Sequence, residues 1–220
     1  MLIRSIIAKG VPLMDTFRTM TELENATTKN KDWDIITRDV KSAVLIAAIH
    51  DGGIEPGTTE VCDLIAEKGH YSFYTFKGLR RQKNVELHVT SRHYDQSTMQ
   101  VMVSKVYQAV AIHGCIGDES IVYIGGKDKS LMASIEQLLT KANFKVAKAP
   151  DHLSGKHDDN IINYRQQNAG VQLELTTALR QSFFKDYKFN RKHRESRDNW
   201  YHHMYAFADA IIKAIETSNK

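Results

Sequence analysis

The chain has 220 residues, 42% hydrophobic and 25% charged, with three prolines and two cysteines. This excludes a disordered, fibrous or disulfide-stapled protein and suits one globular α/β domain with a sizeable core. The formal charge of +4 is compatible with an anionic partner without requiring one. No run approaches the roughly 18 apolar residues of a membrane span, so no membrane partner is expected. The start, MLIRSIIAKGVPLM, carries one arginine before a very short apolar patch and no small-residue cleavage pattern, which makes a poor signal peptide. The expectation is a monomer made in the cytoplasm, acting outside the cell only after lysis.

Residues 1–32 read as a peripheral segment of weak periodicity, with ENATTKNK (24–31) as a polar loop. WDIIT (33–37) reads as a strand. It leads into VLIAAIHDGGIEPGTTE (44–60), where six apolar residues stop at His50 and a glycine-rich loop follows. An unbroken apolar run fits a strand buried on both faces of a parallel sheet, and the glycines let the chain fold back so that His50 and Glu55 converge. A helix could not bring them together at a spacing of five. Residues 59–69 then read as a helix on Val61, Leu64 and Ile65, begun at Gly57 or Thr58 and ended by Gly69.

YSFYTF (71–76) and ELHVTS (86–91) read as strands joined by a basic connection holding Lys77, Arg80, Arg81 and Lys83. Such a cluster is more often solvated than functional. A helix over 95–109, striped with Met99, Met102, Val103 and Val106, crosses back to AVAIH (109–113), a second buried strand ending in histidine, His113. In open α/β sheets, sites form at the carboxyl ends of strands, so His50, Glu55 and His113 should share one edge. Two histidines and one glutamate make a catalytic zinc set with a position left open for water. Cys115 is disfavoured as a nucleophile, because residues alternate sides on an extended chain.

IVYI (121–124) reads as a strand, with Gly125 and Gly126 turning toward a helix capped by Asp128; the glycine pair lacks a full phosphate-loop pattern. A strand over 144–149 precedes a polar loop, 151–170, long enough to expect function or mobility. In VQLEL (171–175), Val171, Leu173 and Leu175 alternate with Gln172 and Glu174. Glu174 therefore faces either a polar cavity, as a general base would, or water on an edge strand. Residues 185–199 are basic with interleaved aromatics, and the chain closes on an amphipathic helix bearing Tyr205, Ala208, Ile211, Ile212 and Ile215. No nucleic-acid motif accompanies that basic run, so it reads as a connection to the helix.

IHDGGIEPGTTE, LHVTSRHYD and NIINYRQQNAGVQLEL, with AIHG and IGGKD between them, resemble the poly-γ-glutamate hydrolase family of bacteriophages of bacilli and of bacterial genomes. The resemblance runs from about residue 33 to residue 180. It implies a mixed, mostly parallel twisted sheet flanked by helices, similar to the zinc carboxypeptidases. It further implies one Zn2+ on His50, Glu55 and His113, and Glu174 in catalysis, the same residues that strand endings and alternation single out. Where glycine is expected after the first histidine, this chain has Asp51, a carboxylate that could partner an imidazole or repel an anionic substrate. The expected activity is cleavage of γ-glutamyl amide bonds in an anionic polymer, with Arg80, Arg81, Asn163, Arg165 and Arg180 as candidates for holding substrate carboxylates. A zinc amidohydrolase or carboxypeptidase acting on a small N-acyl amino acid, and a basic nucleic-acid-binding protein, are the competing readings.

Overall fold

The computed structural model describes residues 15–166 and 168–218, and in them the apolar runs become seven strands of one sheet. These are β1 (Trp33–Arg38), β2 (Val44–Gly52), β3 (Ser72–Gly78), β4 (Gln108–Cys115), β5 (Ile121–Gly126), β6 (Lys145–Lys148) and β7 (Val171–Thr176). Their spatial order is β1-β3-β2-β4-β7-β5-β6. β3, β2, β4 and β7 run parallel, as do β5 and β6, whereas β1 with β3 and β5 with β7 are antiparallel. The sheet is mixed and mostly parallel, as the sequence implies. The signal-peptide reading concerns residues 1–14, which lie outside the described residues.

Helices cover both faces: α1 (Met20–Ala26), α2 (Thr58–Gly69), α3 (Ser97–Ser104), α4 (Lys129–Lys141), α5 (Thr177–Ser182), α6 (Arg191–Arg194) and α7 (His202–Ser218). Strand alternation sorts the interior into two cores. Val44, Ile46 and Ala48 of β2 pack with α2, α4 and α7, whereas Leu45, Ala47 and Ile49 pack with α1 and α3. Asp128 caps α4 by accepting the Leu131 N–H at 3.0 Å. Among the described residues no helix is long and apolar enough to cross a membrane.

Four local readings change. ELHVTS is not a strand: Asn84–Leu87 is a 3-10 turn, and the His88 N–H bonds back to Val85 O. Leu87 and Val89 are buried as alternation requires, but turn hydrogen bonds organise the backbone between them. The crossover helix ends at Ser104, because the N–H groups of Tyr107 and Gln108 are already engaged by Ala43 O as β4 begins. Gly125 and Gly126 belong to β5, and the first residues of ENATTKNK belong to α1.

Phe207 is fully buried where α7 meets the sheet. Phe207→Ala should lower stability by about 3–5 kcal/mol in urea unfolding, and Tyr205→Ala, at the half-buried margin, by clearly less.

Candidate metal centre

Strict alternation along β2 would send His50 to the same side as Ile46 and Ala48, toward α2. The register against β3 prevents this: Ala48 faces Thr75 while Asp51 faces Lys77, so three steps on β2 match two on β3. The extra residue turns His50 to the other face. His113, following Ala109 and Ala111 in alternation, points to that face too, and Glu174 is its partner across the β4–β7 ladder.

The ligand atoms of His50, Glu55 and His113 all lie within 4.8 Å of one another. His50 Nδ1 is 3.2 Å from His113 Nδ1 and 3.6 Å from Glu55 Oε1, and His113 Nδ1 is 3.7 Å from Glu55 Oε2. His50 Nε2 lies 2.7 Å from the carbonyl of Val89, which fixes the proton there and leaves the Nδ1 lone pair facing the cluster. Glu55 is braced through the backbone: its N–H donates to His50 O at 2.8 Å, and its Oε2 accepts the Gly114 N–H at 2.8 Å. Two imidazole nitrogens facing each other at this distance need a proton or a cation between them. A divalent cation fits the donor set of two imidazoles and a carboxylate, which is the borderline-soft mixture that zinc takes.

Charge states agree with that use. Burial, then the charge of nearby His88, holds His50 below its ordinary value, and burial holds His113 down to about 3, so both stay neutral as ligands must. Burial alone would raise Glu55, but its interactions with the rings of His50 and then His113 outweigh burial and hold the carboxylate down at about 2. Glu174 moves oppositely: burial, then the negative charge of Glu55, pushes it well above the usual range. The two carboxylates are thus driven apart, as in sites that divide labour between a fixed anion and a proton carrier. The edge-strand reading of Glu174 is excluded, because β7 lies between β4 and β5.

Several contributors escaped the sequence. Gln172 Nε2 donates to Glu174 Oε1 at 2.8 Å and is itself held by Asn160, whose Nδ2 donates to Gln172 Oε1 at 2.9 Å. His88 lies tilted against His50 with ring centroids 4.0 Å apart, and Asp15 binds both His88 Nδ1 and the Thr90 N–H at 2.6 Å. The alternation of Gln172 with Glu174 hinted at the first pair. Nothing local could signal the second, which joins residues 73 apart.

Of the arginine candidates, only Arg180 reaches the cluster, and it binds backbone. It donates to Leu175 O (3.1 Å), Pro56 O (2.6 Å) and Cys115 O (3.1 Å), so it braces the site. Arg165 lies at the opposite end of the sheet, bonded to Tyr107 O, to Ala169 O and to Asp128 Oδ2 at 2.6 Å. Asn163 is likewise structural, with its amide engaged by Gly155 O, His157 O and the Gly170 N–H. Arg80 is ion-paired with Asp32 and Glu86, and Arg81 is exposed. Asp51 partners neither imidazole; its carboxylate accepts from Thr58 Oγ1 at 3.0 Å, toward α2. Burial, then Glu174, pushes the Cys115 thiol up to about 12, which disfavours the thiolate a nucleophile needs.

The sheet and its edge cluster define an α/β protein with a candidate metal centre at the carboxyl ends of its parallel strands. Residues 17–210 match the poly-gamma-glutamate hydrolase family, and the chain belongs to it. It is 31% identical over 206 residues to UPF0714 protein YndL of Bacillus subtilis (strain 168), covering 93% of this chain and 79% of that protein. A bacteriophage poly-gamma-glutamate hydrolase structure superposes with a TM-score of 0.89 at 32% identity, covering 93% of this chain and 98% of that one. A zinc-free, apo structure of YndL gives a TM-score of 0.87 at 29% identity, covering 94% of this chain and 100% of that one.

Two outcomes follow from burial. In metal-free protein the unfolded chain protonates His113 near 6.5 while the native chain resists to about 3, so stability contributed by the neutral ring is full above 6.5 and is lost as pH falls through that window. Unfolding measured with a chelator should show that slope, and His113→Gln should flatten it. Arg165→Ala should cost about 3–5 kcal/mol, because Asp128 and two carbonyls lose a buried partner, while KM of the folded fraction stays unchanged. A raised KM would return Arg165 to the substrate site.

Proposed function

We propose that this chain hydrolyses γ-glutamyl amide bonds in poly-γ-glutamate with one zinc ion on His50, Glu55 and His113 and with Glu174 as general base. The observation that carries the reading is the His/Glu/His triangle, its two histidines buried, with a buried carboxylate as the ladder neighbour of His113. Family membership supports the substrate, and the description of the YndL structure as zinc-free supports the choice of metal. When bound, zinc supplies Lewis acidity, polarising the scissile carbonyl and making water a better nucleophile at neutral pH.

The rest is work for side chains. Glu174 accepts a proton from the attacking water as its oxygen bonds to the carbonyl carbon, then returns it to the nitrogen as the C–N bond breaks. Gln172 holds one carboxylate oxygen and so aims the other. Burial raises the affinity of Glu174 for a proton, which favours the return step, and any positive charge that offsets Glu55 makes the first step easier. Keeping Glu174 off the metal leaves a coordination position open for chemistry.

His50→Ala and His113→Ala should each abolish stoichiometric zinc, measured by atomic absorption, together with the fall in viscosity of a poly-γ-glutamate solution. Full zinc occupancy in both variants would overturn the ligand assignment. Glu174→Gln keeps size and shape but cannot accept the proton, so it should retain zinc and lose about a hundredfold or more in kcat. Near-normal turnover would make Glu174 structural, and loss of zinc with the fold intact would make it a ligand.

A further inference from the structure

Two basic segments far apart in the chain meet at the loop that carries Glu55. The first, residues 80–84, is folded by Asn84, whose Oδ1 accepts the Arg80 N–H at 3.0 Å and whose Nδ2 donates to Arg80 O at 2.7 Å. It rests directly on glycines: a Cβ at Gly53 would fall 2.2 Å from Asn84 Nδ2, and one at Gly78 would fall 2.7 Å from Asn84 Oδ1. The second segment is the tail around α6. Arg194 fixes it there, donating to Gly52 O at 3.0 Å and to Phe189 O at 2.6 Å.

Between the two segments lies a groove of about 430 Å³, floored by Gly52, Gly53 and Pro56 on either side of Glu55 in the chain. Its walls carry Arg80, Arg81, Lys83, Arg191 and Arg194, and among the described residues no carboxylate or aromatic side chain lines it. Arg80 is held by Asp32 and Glu86, and Arg191 Nε by Glu195, at 3.0 Å. Arg81 is exposed and forms no ion pair among the described residues, whereas Lys83, whose side chain is 75% exposed, lies 3.7 Å from Glu86 Oε1. Cations concentrated in one concavity that no carboxylate lines, Arg81 among them without an ion pair, create a field that attracts and retains anions.

We propose that this groove is a second binding subsite, taking carboxylates of an anionic chain at residues beyond the bond being cut. The inference rests on the substrate reading above and adds where the polymer runs. Guanidinium forks suit carboxylates. A single-stranded nucleic acid would want aromatic platforms for its bases, and the groove offers none.

The test is the triple variant Arg81→Ala, Lys83→Ala, Arg191→Ala, which leaves the structurally engaged Arg80 and Arg194 in place. With Glu174→Gln added so that polymer is not consumed, affinity for labelled long-chain poly-γ-glutamate should fall about tenfold, as expected for three exposed charge contacts, and its salt dependence should weaken. With Glu174 intact, KM should rise for long chains while kcat and KM for a γ-linked glutamate trimer stay put. Unchanged polymer affinity would overturn the proposal. So would an equal loss on polymer and trimer, which marks a distorted centre, or tighter binding of a DNA oligonucleotide of equal charge by the parent protein. Groove-dependent polymer binding by a parent protein that never cleaves the polymer would leave the subsite standing and remove the proposed function.

Discussion

Glu55, its side chain 15% exposed, lies beside the buried Glu174, and the charge of the first pushes the second toward its protonated form. Moving an ion from water into a protein interior costs several kcal/mol unless it is paired and hydrogen-bonded. Two neutral imidazoles cannot repay that cost, yet burial keeps His50 and His113 neutral. A cation shared by the three ligand atoms would offset that cost, and the surrounding backbone contacts hold those atoms close enough to share one.

That backbone arrangement depends on a small number of fixed points. The register shift before Asp51 turns His50 onto the face of His113. Arg180 then joins the ends of β4 and β7 to the loop behind Glu55 through three carbonyls. Gly114 makes room for it, since a Cβ there would lie 2.6 Å from the guanidinium carbon. A lysine could not make this connection, because a point charge on a flexible stem lacks the planar fork that reaches three acceptors at once. Arg180 belongs to the site as a brace, which explains why an arginine sits beside a metal-ready cluster without facing solvent.

The sheet was legible because its strands are apolar runs bounded by glycine, and β2 is buried at all nine positions. The triangle was legible for the same reason, since two such runs end in histidine. What escaped depends on contacts between distant residues. The burial pattern of Leu87 and Val89 matches a strand, but the backbone of this segment follows its turn bonds and the grip of Asp15 on His88 and Thr90. Asn163 and Arg165 are substrate candidates in the sequence because an anionic polymer needs groups that hold carboxylates, as a guanidinium fork does. Their partners are carbonyls and a helix cap that no local pattern encodes.

Asp51 replaces the glycine expected after the first histidine, and its surroundings account for it. Its side chain crosses to the α2 face, where Thr58 donates to one oxygen and Glu60 is buried nearby. Burial first, and the charge of Asp51 second, raise Glu60 to about 7. Arg194 opposes that rise, with its Nε 3.6 Å from Glu60 Oε1. The same guanidinium binds Gly52 O and Phe189 O, so the residue that compensates the extra carboxylate also fastens the basic tail to the loop that carries Glu55. The added negative charge thus falls behind the site and away from the imidazoles. The tail that sequence reads as a solvated connection is part of what holds the candidate centre in shape.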